Sequence, residues 1–152
     1  MYRECKMFHA LLLFVFALTA SSGATSVSHG ARDDKCPILI KVLDAVSGTP
    51  AANLHVQMLR QSDDQTWQQL STAVTGISGE VHNLTSEEHL PAGLYKIHFD
   101  TGAYWRNKGI NPFHECADVV FRVPSASQQH YILAVLLSPY SYSSTGLIRN
   151  PH

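Results

Sequence analysis

Three groups of side chains in this chain have types and spacings that could do chemistry. His114, Cys116 and Asp118 alternate, so on one strand edge an imidazole, a thiol and a carboxylate would converge, a donor set suited to zinc. A solvated strand edge is the plainer account of the same spacing. Asn83-Leu84-Thr85 is an acceptor triplet for an N-linked glycan, meaningful in a surface turn of a secreted chain and otherwise an unmodified loop. The third group is mostly uncharged. Lys41, Ala134, Ser143 and Thr145 stand within segments that otherwise read as apolar strands, and small methyl and hydroxyl groups leave room that larger side chains would fill.

Those segments recur along the chain with turn residues between them. Ile38–Asp44 is rich in β-branched residues and ends at Ser47-Gly48-Thr49-Pro50. Further strands are expected at 54–60, 66–74, a short one at 80–82, then 94–99, 117–123, 131–137 and 142–148. One stretch departs from the rhythm. Asp100 is able to cap a helix start, and Arg106 and Lys108 precede Gly109, which predicts a helix of two to three turns. Eight strands and one short helix describe an all-β, antiparallel β-sandwich.

Alternation assigns the faces. Ile38, Ile40 and Val42 share one side of the first strand, with Leu39, Lys41 and Leu43 on the other. Tyr131, Leu133, Val135 and Leu137 oppose Ile132, Ala134 and Leu136, while Ser143, Thr145 and Leu147 line up on the last strand. A sheet with one wet face carries polar residues there, and this one does not. Its second face either packs on another subunit or lines a ligand groove at such a contact. Both readings fit the periodicity.

The 152 residues are 45% apolar and 15% charged, enough for one domain with a real core. A formal net charge of −1 gives no electrostatic reason to expect nucleic acid or an anionic membrane as partner. Arg3 and Lys6 precede an apolar run from Met7 to Ala20 and then small residues, the order of a secretory signal peptide at 1–23. That run is shorter than the roughly 20 residues a membrane-spanning helix needs. Residues 24–35 hold a single apolar side chain larger than alanine, Val27, and read as a mobile arm. Loss of the leader removes Cys5 and leaves Cys36 and Cys116, too few for a disulfide scaffold and as readily free as paired.

Several strings resemble the transthyretin and 5-hydroxyisourate hydrolase family: Cys36-Pro37, Lys41-Val42-Leu43-Asp44-Ala45-Val46, Tyr104-Trp105, Pro112-Phe113-His114-Glu115, Leu136-Leu137-Ser138-Pro139-Tyr140-Ser141-Tyr142-Ser143 and Asn150-Pro151. The resemblance covers residues 36–152, implies the prealbumin-like sandwich, and points to the vertebrate, non-mammalian side of the family through the longer arm before Cys36. Two functions share that fold. The hydrolases carry a His on the first strand, an Arg near the fourth, a His-x-His on the seventh and a terminal Tyr-Arg-Gly-Ser. Here Lys41 and Glu80 stand at the first two places, His130-Tyr131-Ile132 keeps one His of the pair, and Ser144-Thr145-Gly146 stands where the terminal motif begins. A water-activating base poised near neutrality is thereby missing, because an ordinary lysine is protonated there and isoleucine carries no titratable proton.

The hormone-carrying branch is matched instead. The resemblance implies that Lys41, Leu43, Glu80, Ala134, Leu136, Ser143 and Thr145 line a central channel of a homotetramer and hold thyroxine or triiodothyronine, with no catalytic residue and no cofactor. Ile132 departs from the Thr expected there. It also implies Cys36 with His82 as a second candidate metal pair, and a docking surface for plasma retinol-binding protein around Ser47 and Lys108–Asn111. Ser47 and Lys108 depart from the basic and apolar residues expected at that surface. Apolar channel faces and free strand edges make the dissociated chain amyloid-prone.

Overall fold

The computed structural model describes residues 36–86, 90–125 and 129–149; the expected leader at 1–23 and arm at 24–35 lie outside them. The elements in order are β1 (Ile38–Asp44), β2 (Thr49–Pro50), β3 (His55–Gln61), β4 (Trp67–Val74), β5 (Glu80–Val81), β6 (Gly93–Phe99), α1 (Thr101–Asn107), β7 (Ala117–Val123), β8 (His130–Ser138) and β9 (Ser141–Arg149). All eight expected strands and the helix are present. The addition is β2, two residues of the expected turn that fold back onto Leu43 and Asp44.

Two sheets form the sandwich. One runs β2-β1-β8-β9 with β5 also paired to β1, the other β4-β3-β6-β7. Pairing is antiparallel except between β1 and β8, which run parallel over seven residue pairs from Ile38↔Tyr131 to Asp44↔Leu137. An all-antiparallel arrangement is therefore corrected at this one junction, where the first strand adds beside the penultimate one. Ile38, Ile40, Val42, Leu133, Val135 and Leu137 turn inward against Val56, Met58, Tyr95, Ile97 and Phe99 of the other sheet. Each such side chain removed from water contributes about 1.5–3 kcal/mol. No helix among the described residues is long and apolar enough to cross a membrane.

The helix forms where capping predicts. Asp100 accepts from the Ala103 N–H at 3.0 Å, and Gly109 takes a left-handed φ of 74° just past the end, where a side chain would be strained. Trp105 is 1% exposed and anchors the helix in the core. Gly79 has a φ of 72°, and a Cβ there would lie 2.4 Å from the Val42 carbonyl oxygen. Only glycine lets this turn press β5 against β1.

One buried charge ties the first sheet to the helix. The Asp44 carboxylate accepts from Lys108 Nζ at 2.6 Å, from the Tyr104 hydroxyl at 2.9 Å, and from the Val46 and Ser47 amides. Burial opposes its ionisation, but the Lys108 bond, then the Ser47, Tyr104 and Val46 bonds, outweigh that and hold the carboxyl at about 2 against an ordinary 3.8. A depressed carboxyl adds stability that is complete above the unfolded value and is lost as pH falls through the folded one, so this clamp weakens between about pH 4 and 2. Its contribution is about 2 kcal/mol. Asp44→Asn is expected to cost about 2–4 kcal/mol at neutral pH and to flatten the acid limb. Urea unfolding from pH 6 to 2 at one protein concentration measures both, and an unchanged acid limb would remove Asp44 from this role.

Candidate functional site

The second face of the β1-β8-β9 ladder carries the residues of interest. Register fixes their neighbours: Lys41 pairs with Glu80 on β5 and Ala134 on β8, and Ala134 pairs with Thr145 on β9. The next rung is Leu43, Leu136 and Ser143, and a third is Leu39, Ile132 and Leu147. All seven expected ligand contacts thus fall on two adjacent rungs of one face. Alternation keeps them off the core side, where Ile40, Val42 and Val135 sit.

The face is open. Leu43 is 40% exposed, Leu136 45% and Leu147 52%, and Ser143 and Thr145 are exposed. Contiguous exposed apolar side chains of this kind mark a contact surface. A cavity of about 340 Å³ does occur, but it opens between the β7 and β9 edges, lined by Phe121, Tyr131, Leu133 and Gly146 among others. None of the seven expected contacts lines that cavity.

At the charged end, Lys41 Nζ lies 2.9 Å from Glu80 Oε1, and His82 Nε2 lies 3.1 Å from Glu80 Oε2. The Lys41 bond is the main reason the Glu80 carboxyl sits below its usual range; partial burial opposes it, and His82 adds to it. Two features here were missed in the sequence. Lys41 and Glu80 already satisfy one another, and His82 belongs to this end of the face through its i+2 spacing from Glu80. That spacing was the available signal. A zwitterionic ligand would exchange one exposed ion pair for two others, worth roughly 0–1 kcal/mol.

The expected metal trio is not assembled. His114 lies before β7, edge-on to Phe113 and Tyr142 at ring separations of 4.9 and 5.3 Å, so the strand alternation assumed for it does not apply. Its place beside Cys116 and Asp118 is taken by His98 of β6, the cross-strand partner of Asp118. The Asp118 carboxylate accepts from His98 Nδ1 at 2.6 Å and meets Lys96 Nζ at 3.4 Å. These contacts account for it without a cation. Cys36 Sγ donates to Asn83 Oδ1 at 3.3 Å and His82 lies against Glu80, and the two cysteines are not bridged to each other. Asn83 is exposed in the segment after β5.

The hydrolase positions on this face hold other residues. Lys41 holds Glu80 where a histidine and an arginine would stand, and Ile132 is paired with Leu147.

Comparison with known proteins finds close relatives of this chain. A family model described as HIUase/Transthyretin matches residues 38–145. Transthyretin of Aquarana catesbeiana is 44% identical over 137 residues, 90% of each chain. The crystal structure of transthyretin from Sparus aurata matches with a TM-score of 0.74 at 46% identity, over 76% of this chain and 100% of that one. A sea bream transthyretin in complex with thyroxine matches at 0.73 and 47% identity, over 77% and 99%. Sandwich, ladder register and these relatives lead to one conclusion: the chain belongs to the HIUase/Transthyretin family.

Proposed function

We propose that this chain is a secreted carrier of thyroid hormone, binding an iodothyronine between two copies of the ladder face in the central channel of a homotetramer. The observation that carries the reading is the gradient across one rung. Charge at Glu80 and Lys41 gives way to the methyl of Ala134 and then to the hydroxyl of Thr145. Three interstrand spacings of about 4.8 Å make that span about 14 Å. An iodothyronine has the same order, with an amino-acid group, bulky iodinated rings and a phenol. The thyroxine complex of the sea bream relative supports thyroxine as a ligand.

Lys41 meets the carboxylate and Glu80 the ammonium. Leu43, Ala134 and Leu136 bound the iodine pockets, and Ser143 and Thr145 meet the phenol. Apolar burial at about 25 cal/mol per Å² yields several kcal/mol over a few hundred Å², far more than the ion pairs. Affinity therefore resides in the apolar rungs and ligand direction in the mouth.

Assembly supplies the second face. The unpaired edges of β7 and β9, seven and nine residues long, suit strand pairing with another copy. Phe113 and Tyr140, each 70% exposed and stacked at 6.1 Å, would add to that contact. Retinol-binding protein would dock around Ser47 and Lys108–Asn111, where Lys108 is already held by Asp44.

Three outcomes test this reading. Ser143→Met, with bulk added on an exposed strand, is expected to remain tetrameric and lose about 100-fold in thyroxine affinity, about 3 kcal/mol. Lys41→Ala is expected to lose about two- to fivefold. Wild-type affinity in tetrameric Ser143→Met, read by thyroxine titration, would move the hormone out of this channel. Fresh 5-hydroxyisourate should decay in ultraviolet absorbance at its spontaneous rate; a rate proportional to protein and lost in Lys41→Ala would reinstate the hydrolase. Saturating hormone should slow acid-induced aggregation by mass action on the assembled form, and equal light-scattering time courses with and without it would break that link.

A further inference from the structure

Every turn after a strand must put its apolar residues somewhere, and the segment after β5 does so with one side chain. Leu84 is 4% exposed and joins the core. Its carbonyl oxygen accepts from the Ser71 hydroxyl of β4 at 2.6 Å. The segment therefore crosses from the first sheet to the second and closes one end of the sandwich. Alternation about the inward Leu84 leaves Asn83 exposed and Thr85 half-buried. The acceptor triplet is thus held with its central residue as a plug and its asparagine outward.

We propose that Asn83 carries an N-linked glycan that covers this end of the sandwich. With Oδ1 engaged by the Cys36 thiol, Nδ2, which takes the sugar, is at the other corner of the amide. The co-reactant is a lipid-diphosphate oligosaccharide of the secretory pathway. Nδ2 attacks its anomeric carbon, the carbon–oxygen bond to diphosphate breaks, one amide proton passes to base, and the lipid diphosphate leaves. The Thr85 hydroxyl supplies the third position that the transferring enzyme requires.

Position gives the sugar a use. The long edges β7 and β9 end their sheets on the side opposite β4 and β5, around the cavity described above, and a glycan at Asn83 leaves them clear. At the near end, among the described residues, the free edge of β1 is paired by β2 and β5, two residues each. Edge strands so thinly covered are templates for unwanted pairing. A bulky hydrated sugar beside them blocks that approach without touching the assembly edges.

The inference rests on secretion, so the test separates the two. The full chain is expressed in a eukaryotic secretory host from its own leader and, in parallel, from an unrelated leader. Intact mass of wild type is expected to exceed the peptide mass by one N-glycan, removable by peptide N-glycosidase. Asn83→Gln and Thr85→Ala should show bare mass, and Thr85→Ser should restore the sugar. Bare mass for wild type from the unrelated leader overturns the glycan; a glycan only with that leader faults residues 1–23 instead. Size exclusion should give the same subunit number for wild type and Asn83→Gln, and a lower number for glycosylated wild type would overturn the claim that the assembly edges stay clear. Asn83→Gln is expected to aggregate several-fold faster in mild acid, and equal rates would refute the guarding role.

Discussion

The parallel pairing of Ile38–Asp44 with His130–Ser138 joins two segments some ninety positions apart in one uninterrupted ladder of seven residue pairs. Closing so long a loop carries an entropic cost, met by side chains buried on the inner face, where Ile40, Val42 and Val135 are at most 2% exposed. Once that ladder is fixed, period two leaves no freedom on the outer face. A one-residue slip would carry Lys41 into the core and Val42 into solvent. The core therefore enforces the composition of the candidate face, and the two cannot be varied independently.

The polar groups around this ladder are arranged to hold its ends. Asp44, at the end of β1, is 1% exposed and satisfied by a cation, a phenol and two amides. A buried carboxylate without them would cost several kcal/mol. Its bonds bind the strand to α1 and thus one sheet to an element following the other. At Lys41 the opposite economy holds: its side chain is 47% exposed, so its bond to Glu80 is exchangeable. A rigid clamp and a labile pair stand three residues apart on the same strand, separated by burial alone.

Much of the fold was legible because strand periodicity and caps are local. Burial alternates as expected through β1, and Asp100 caps α1 as its position before the helix implies. The face carrying Lys41, Leu43, Ala134, Leu136, Ser143 and Thr145 followed from the same period of two. Pairing direction did not, since an alternating strand has the same pattern whether its neighbour runs parallel or antiparallel. Glu80 came from family resemblance, because a two-residue strand has no period to read.

The sequence by itself determined which side chains share a face, where the helix begins and ends, and that two of the hydrolase histidines are replaced by Lys41 and Ile132. Only the tertiary structure decided who stands beside whom across strands. It set His98 and not His114 next to Cys116 and Asp118, joined Lys41 to Glu80 across 39 positions, and turned Asn83 outward by burying Leu84. The physical reason is that cross-strand neighbours are fixed by register, and register is chosen by the whole core at once. Spacing along the chain sees one strand at a time.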